Sequence, residues 1–367
     1  MNRIIHILGC IVKFILLNLK ASLKVLKSCT YDVLDLSIVD TVVFSHNLGG
    51  GTLSYERNNF YADNILIIRL ISYRWDGFFS VEQGNSKIYI SSKRLFSLLA
   101  IIVPKNVIVS SLCSYSNPVR FLKFIELDFL NAHKKYLVHD FHSVCPSVNL
   151  IENKFFCSLN CANCSKYKFI KKWQTEWNHF FEVVDEIVVF SNSSKEIIKT
   201  VYGSIKDEKI KVIPHSMDYC NFEKIETNNG KNIAIIGNCS NIVKGKYVIK
   251  NLIPYIKKER NRKLYIIGKT PFFFHRNSEF IYYNGAYRLA ELRDILIEFA
   301  IGAIVFPSVC PETFSYAISE FMQLGLPIVT VDMGAQGEKL RRYDKTVFIE
   351  NYRPESIIEG VEKCFTL

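Results

Sequence analysis

The chain has 367 residues, of which 49% are hydrophobic and 22% charged, and its formal net charge is +11. That length and balance exclude a disordered or low-complexity chain and allow two domains of ordinary size, each with its own core. The positive charge favours anionic partners such as nucleotide phosphates or acidic lipid head groups; nucleic acid drops out, because neither a zinc-finger histidine pair nor an aromatic ribonucleoprotein signature accompanies the charge.

Residues 1–28 contain no acidic side chain; the first is Asp32. Lys13 cuts the apolar run well short of the roughly 20 residues that span a bilayer. Lys13, Lys20, Lys24 and Lys27 share one face of a predicted helix, opposite a broad Ile/Leu/Phe surface. Three readings are open. The helix lies in a membrane interface on anionic lipid, or it packs on the protein's own body, or it is a signal peptide. The third lacks a small-residue cleavage site after the apolar part.

Short Val/Ile-rich runs then alternate with helical patterns. In the first half they fall at 41–45, 65–71, 87–91, 107–110, 135–139 and 187–191, and in the second at 232–237, 263–268, 280–285, 303–307 and 327–331. Runs this apolar suit strands covered on both faces, and strand–helix alternation predicts parallel sheets flanked by helices. The polar stretch Cys220–Asn232 reads as a linker. The expected organisation is therefore α/β, with two doubly wound, Rossmann-like domains facing a central cleft. The first covers 29–220 and the second 221–350. A closing segment, 351–367, is expected to return to the first domain. Such sheets bind ligands at the carboxyl ends of their strands.

Distinctive residues fall at those ends. After the first strand, Gly49, Gly50 and Gly51 make a loop without side chains that leads into Thr52. Backbone N–H groups can approach an anion there, although the same residues also serve a plain strand-to-helix turn. After the 303–307 run, Pro311 keeps the chain extended and places Glu312 in the loop. A helix starting near residues 313–315 would carry Glu320 about two turns in. N–H groups near Phe314 and Ser315 would suit a diphosphate. Glu320 sits among residues that look buried, so its carboxylate needs a hydrogen-bonding partner, which ribose hydroxyls would supply. After the 232–237 run, Lys244 can bring a positive charge to a phosphate; in isolation it reads equally as a surface lysine.

These residues reach a family. The segments "NIAIIGNCSNIVKG", "KLYIIG", "VIPHSMD" and "FPSVCPETFSYAISEFMQLGLPIVTVDMGA" resemble retaining glycosyltransferases of the GT-B fold, in particular the group 1 class often called family 4. The most specific part is the pair of glutamates, with seven residues between them, in a strand–loop–helix setting. The first half is similar more loosely, through "SHNLGGGT", "VHDFHSVCP" and "VVFSNSSKEIIKTVYG".

The resemblance implies transfer of a sugar from a nucleotide-diphosphate donor with retention of configuration. Glu312 would contact the donor sugar, Glu320 the ribose and Lys244 the diphosphate. His139 would meet the sugar, and Gly50 and Gly51 would approach donor or acceptor. The family usually carries Arg where this chain has Asn238, and often Gly where it has Ser315, so one of two phosphate cations is replaced by a side chain that cannot grip two oxygens.

Cys145, Cys157, Cys161 and Cys164 form a cysteine-rich loop, 145–164. Four thiolates there suit a structural zinc or, equally, a loop of reduced thiols. The chemistry that the resemblance implies requires no cofactor. The resulting expectation is a glycosyltransferase of cell-surface polysaccharide synthesis, cytoplasmic and peripheral at the inner face of the cell membrane. Its acceptor would be a glycan or lipid-linked, and the N-terminal helix would meet the anionic membrane surface. The competing class is a non-catalytic sugar-binding or scaffold member of the same fold, which Asn238 favours. A nucleotide-cofactor oxidoreductase ranks behind both, because no G-x-G-x-x-G opens either half.

Overall fold

A computed structural model describes residues 2–28, 34–225, 230–270 and 277–366. Residues 226–229 of the expected linker lie outside that description. The chain divides into two units, one formed by 1–148, 163–190 and 197–213, the other by 149–162, 191–196 and 214–367.

The first unit is built on strands β1 (Thr41–His46), β2 (Ile65–Leu70), β3 (Phe78–Gln83), β4 (Ser86–Ser91), β5 (Asn106–Val109) and β6 (His133–Leu137). The strands β9 (Glu186–Val189) and β10 (Ile210–Val212) complete it, while the short hairpin that precedes them in the chain, β7 (Ile151–Glu152) and β8 (Phe155–Phe156), falls in the second unit. The sheet order is β10-β9-β6-β5-β1-β2-β3-β4. The β1 strand sits centrally, parallel to β2 and β5, and all of its residues are buried. The β3 and β4 strands pair antiparallel, which departs from the all-parallel expectation. A tight turn at Gly84 and Asn85 joins them, and at the sheet edge one face can be wet, so β4 is only half-buried.

One buried ion pair braces this unit. Glu56, on the helix Gly51–Asn59 that follows the glycine loop, pairs with Arg69 of β2, and their side chains are 0% and 4% exposed. Ser45 and Ser110 also donate to the Glu56 carboxylate, so each buried oxygen finds donors.

The N-terminal helix Asn2–Lys27 forms as predicted. Asn18, Ala21 and Val25 lie on its inward face; Ala21 is buried and Asn18 exchanges hydrogen bonds with the Tyr73 backbone. Lys13 and Lys24 flank that face and lie over the rings of Tyr73 and Tyr89. A second face, including Val12, Leu16, Leu19, Leu23 and Leu26, is exposed, with Leu16 at 60% and Leu26 at 73%. Among the described residues no helix is long and apolar enough to cross a membrane.

The second unit carries β11 (Asn232–Ile236), β12 (Leu264–Ile267), β13 (Ile281–Gly285), β14 (Ile301–Val305), β15 (Ile328–Thr330) and β16 (Thr346–Phe348). They form a sheet in the order β13-β12-β11-β14-β15-β16, every pair parallel. Alternate residues serve opposite faces, as strand geometry requires. Ile233, Ile235, Leu264, Ile266 and Val305 pack under the helices Lys246–Glu259 and Pro354–Cys364. Ala234, Ile236, Ile267, Ile304 and Ile328 pack under Leu292–Glu298 and Tyr316–Leu324. Burial on both faces explains the unbroken apolar runs. The closing segment departs from expectation: Ile357, Val361 and Cys364 of its helix join the core of this second unit.

Candidate active site

In the second unit the turn after β14 delivers Glu312. Pro311 has no N–H, and neither it nor Glu312 belongs to a helix or strand. Its carboxylate accepts from the Lys244 ammonium and, at 3.1 Å, from the Ser308 hydroxyl. The Glu312 side chain is 12% exposed and that of Lys244 43%. Burial pushes the Glu312 carboxyl up, but the Lys244 ammonium outweighs it and holds the group below the usual carboxylate range. Lys244 moves the complementary way: burial favours the neutral amine, and Glu312 more than reverses that.

Lys244 arrives through a close approach. Gly245 has φ +85° and caps the Lys246–Glu259 helix; a Cβ there would lie 2.5 Å from Pro307. Glycine therefore lets the turn after β11 press against the strand end that carries the Glu312 loop. Asn238, at the start of the same turn, is exposed and accepts from the Ser240 backbone N–H at 3.2 Å.

The helix that follows Glu312 begins at Tyr316, with Ser315 as its N-cap. Ser315 has φ +61°, a left-handed conformation that glycine adopts without strain. The glycine that the resemblance leads one to expect at this position would take that conformation at no cost. Phe314 and Ser315 are buried, and the first N–H groups of the helix receive no side-chain cap. The Lys339 ammonium lies 3.3 Å from the Phe314 ring centroid and donates to Ser315 O and Ser319 Oγ. Burial depresses it to about 8, against the pull of Glu312, Glu338 and Glu320.

Glu320 is half-buried on that helix, and Tyr219 donates to Oε1 at 2.8 Å. Burial raises its carboxyl above the usual range, although Tyr219 and Lys339 oppose the shift. His215 stacks on Phe314 with ring centroids 4.6 Å apart, and its Nδ1 meets the Tyr316 hydroxyl. Burial first, and the Lys339 charge second, push this imidazole down to about 3, so it is neutral at physiological pH. Sequence reasoning missed Tyr219, His215 and Lys339. Tyr219 and His215 stand in or next to "VIPHSMD", which gave a signal of place but none of role.

In the first unit, Gly49 and Gly50 both have positive φ, and Gly50 caps the Gly51–Asn59 helix. Tyr55 of that helix meets the His139 ring edge-on at 5.0 Å, and His139 stacks on Phe190 at 4.6 Å. The glycine-loop helix and His139 are thus brought together. Beside them, ligand atoms of His46, Cys113 and Asp140 lie within 4.8 Å of one another. In this arrangement His46 Nδ1 accepts the Leu48 N–H at 3.0 Å, Asp140 is engaged by Ser111 and the His142 N–H, and burial first, then the Asp140 charge, push the Cys113 thiol up.

The cysteines of the 145–164 loop are half-buried. Cys145 and Cys164 belong to the first unit, Cys157 and Cys161 to the second.

Residues 230–366 match the family model described as Glycosyl transferases group 1. No curated protein sequence matches the chain. Several solved structures are similar. Sucrose-phosphate synthase from Thermosynechococcus elongatus aligns with TM-score 0.57 and 13% identity, over 89% of each chain. HepE from Anabaena, in complex with UDP, aligns with TM-score 0.55 and 13% identity, over 89% of this chain and 90% of that one. A glycosyltransferase from Rickettsia africae aligns with TM-score 0.54 and 16% identity, over 89% and 88%. The chain therefore has the GT-B fold, and its residues 230–366 are similar to the group 1 glycosyl transferases.

Proposed function

We propose that this protein transfers a sugar from a nucleoside-diphosphate donor to a glycan or lipid-linked acceptor, with retention of configuration, in cell-surface polysaccharide synthesis. The observation that carries the reading is the pairing of Lys244 with Glu312 at the strand ends of the second unit, one helical element from Glu320. A cation, an uncapped helix start and two carboxylates offer complementary partners to a diphosphate, a sugar and a ribose. HepE, whose fold is similar, was solved with UDP, with UDP and glucose, and with UDP-glucose.

In this mechanism Lys244 and the N–H groups at the Tyr316–Leu324 helix start stabilise the leaving diphosphate. Glu312, released from Lys244 as phosphate takes its place, holds the donor sugar while the acceptor attacks from the same face. No protein nucleophile is assigned, and no step uses a metal. The exposed apolar face of the N-terminal helix, flanked by lysines, suits a membrane interface and brings the protein to a lipid-linked acceptor.

A thermal-shift screen of UDP-, GDP- and dTDP-sugars tests donor binding, because a bound ligand raises stability with its occupancy. NMR of the product's anomeric signal then tests retention. A second reading, a sugar-binding member without turnover, is favoured by Asn238: its side chain is occupied by Ser240 and supplies no charge. Stabilisation by a donor without product would select it.

A further inference from the structure

We propose that Gln336 is a positioning residue for the transfer reaction, holding the Glu312 carboxylate in place through the backbone of its loop. This inference rests on the donor-site reading above, but the residue lies outside the set that reading uses.

The loop has a backbone problem. Cys310 and Glu312 flank Pro311, which lacks an N–H, and Cys310 and Pro311 are buried. No strand or helix ladder reaches these groups, so the Cys310 carbonyl and the Glu312 N–H need partners from elsewhere. Gln336 supplies both. Its Oε1 accepts the Glu312 N–H at 2.9 Å, and its Nε2 donates to Cys310 O at 2.8 Å. A side-chain amide offers an acceptor and a donor side by side, as these two groups require. The residue is 0% exposed, so water cannot substitute.

The neighbours of Gln336 complete the grip. Ala335 N–H donates to Glu312 O at 2.9 Å. Gly334 has φ +58°, and a Cβ there would lie 2.6 Å from Pro311 Cα and 2.7 Å from Glu312 N. The absence of that Cβ lets the turn after β15 close on the loop after β14. Glu312 is therefore held at its N–H, its carbonyl and, through Lys244 and Ser308, its carboxylate. A carboxylate that must meet one sugar hydroxyl depends on such support, since small displacements cost large factors in rate.

The test uses the full chain and two variants. Q336M keeps the size of the side chain and removes both hydrogen bonds; G334A drives a Cβ against Pro311, Glu312 N and Gln336 Oε1. In the ligand-free protein, ¹³C NMR follows the Glu312 carboxyl. It should titrate closer to an ordinary glutamate in either folded variant, as it should in a K244M control. With a donor that the wild type uses, kcat should fall by about 10- to 100-fold, while Kd for the matching free nucleoside diphosphate stays within about twofold. A general loss of structure would move both. The inference is overturned if Glu312 titrates as in wild type in a folded variant, or if nucleotide affinity falls together with kcat. If wild type turns over no donor, the transferase reading fails, whereas the titration still decides whether Gln336 places Glu312.

Discussion

Replacing Glu320 by alanine separates nucleoside binding from chemistry. The carboxylate sits half-buried on the Tyr316–Leu324 helix, and Tyr219 is its hydrogen-bond donor at 2.8 Å. Ribose hydroxyls would share or displace that phenol. A hydrogen bond to a charged group contributes about 1.5–3 kcal/mol. Because one donor is exchanged for another, the net loss belongs near the lower end, which corresponds to about 10- to 30-fold in Kd. The variant should otherwise be sound. Tyr219 is 50% exposed and its hydroxyl can turn to water, while removing a carboxylate that burial disfavours relieves a cost.

Calorimetry with the nucleoside diphosphate that stabilises wild type reads the Kd, and a thermal melt reads the fold. Glu312→Gln is the counterpart: it should leave this Kd nearly unchanged and lower kcat, since its expected partner is the sugar. An unchanged Kd in Glu320→Ala would refute the ribose assignment. A raised Kd accompanied by a collapse in Tm would show that Glu320 acts through packing.

Four further outcomes are expected. Arg69→Met strands the buried Glu56 carboxylate and should destabilise the protein by about 3–5 kcal/mol, read from urea denaturation. Asn238→Arg should tighten donor binding by about 10-fold or more where the guanidinium reaches the diphosphate, and Lys244→Ala should weaken it; an inert Lys244→Ala in calorimetry would misplace the phosphate subsite. Removal of residues 1–28 should leave a folded protein with reduced affinity for anionic liposomes. Leu16→Glu with Leu23→Glu should do the same in the full chain, and part of wild-type binding should survive high salt because the exposed face is apolar. Burial lowers the Lys339 ammonium from 10.5 to about 8, so between those values the unfolded chain holds a proton that the native chain has lost. Stability gained from this group therefore rises with pH across that window, and Lys339→Met should flatten the rise in Tm.

Strands were legible wherever burial on both faces made the sequence continuously apolar. All of β11 to β15 were read within a few residues, and their two faces appear in the structure as two core clusters. The β3 strand was not read, because "FFSVEQ" mixes polar residues into an edge hairpin that pairs antiparallel. The β16 strand has three residues, too few for a period to show. The N-terminal helix was read from its lysine spacing, but spacing alone could not say which face meets the protein. The packed face proves to be a narrow strip around Ala21, with Lys13 and Lys24 resting on tyrosines at its borders.

The candidate site was legible to the extent that charge and turn chemistry carry it. Glu312, Glu320 and Lys244 stand out because a carboxylate or ammonium beside buried strands needs a reason, and Gly245 proves to hold the turn that brings Lys244 to Glu312. Gln336 is equally necessary to that geometry and left no trace. A glutamine in "MGAQGEKL" reads as a surface residue of a short helix, and its burial follows only from two backbone groups 24 and 26 residues away that Pro311 leaves without a ladder. Tyr219 and Lys339 are silent for the same reason: each acts on a residue far away in sequence, Tyr219 on Glu320 and Lys339 on the Phe314 ring. Local pattern reveals a group that must be explained by its own surroundings. It does not reveal a group whose function is to complete the surroundings of another, and that is where the supporting residues of this site lie.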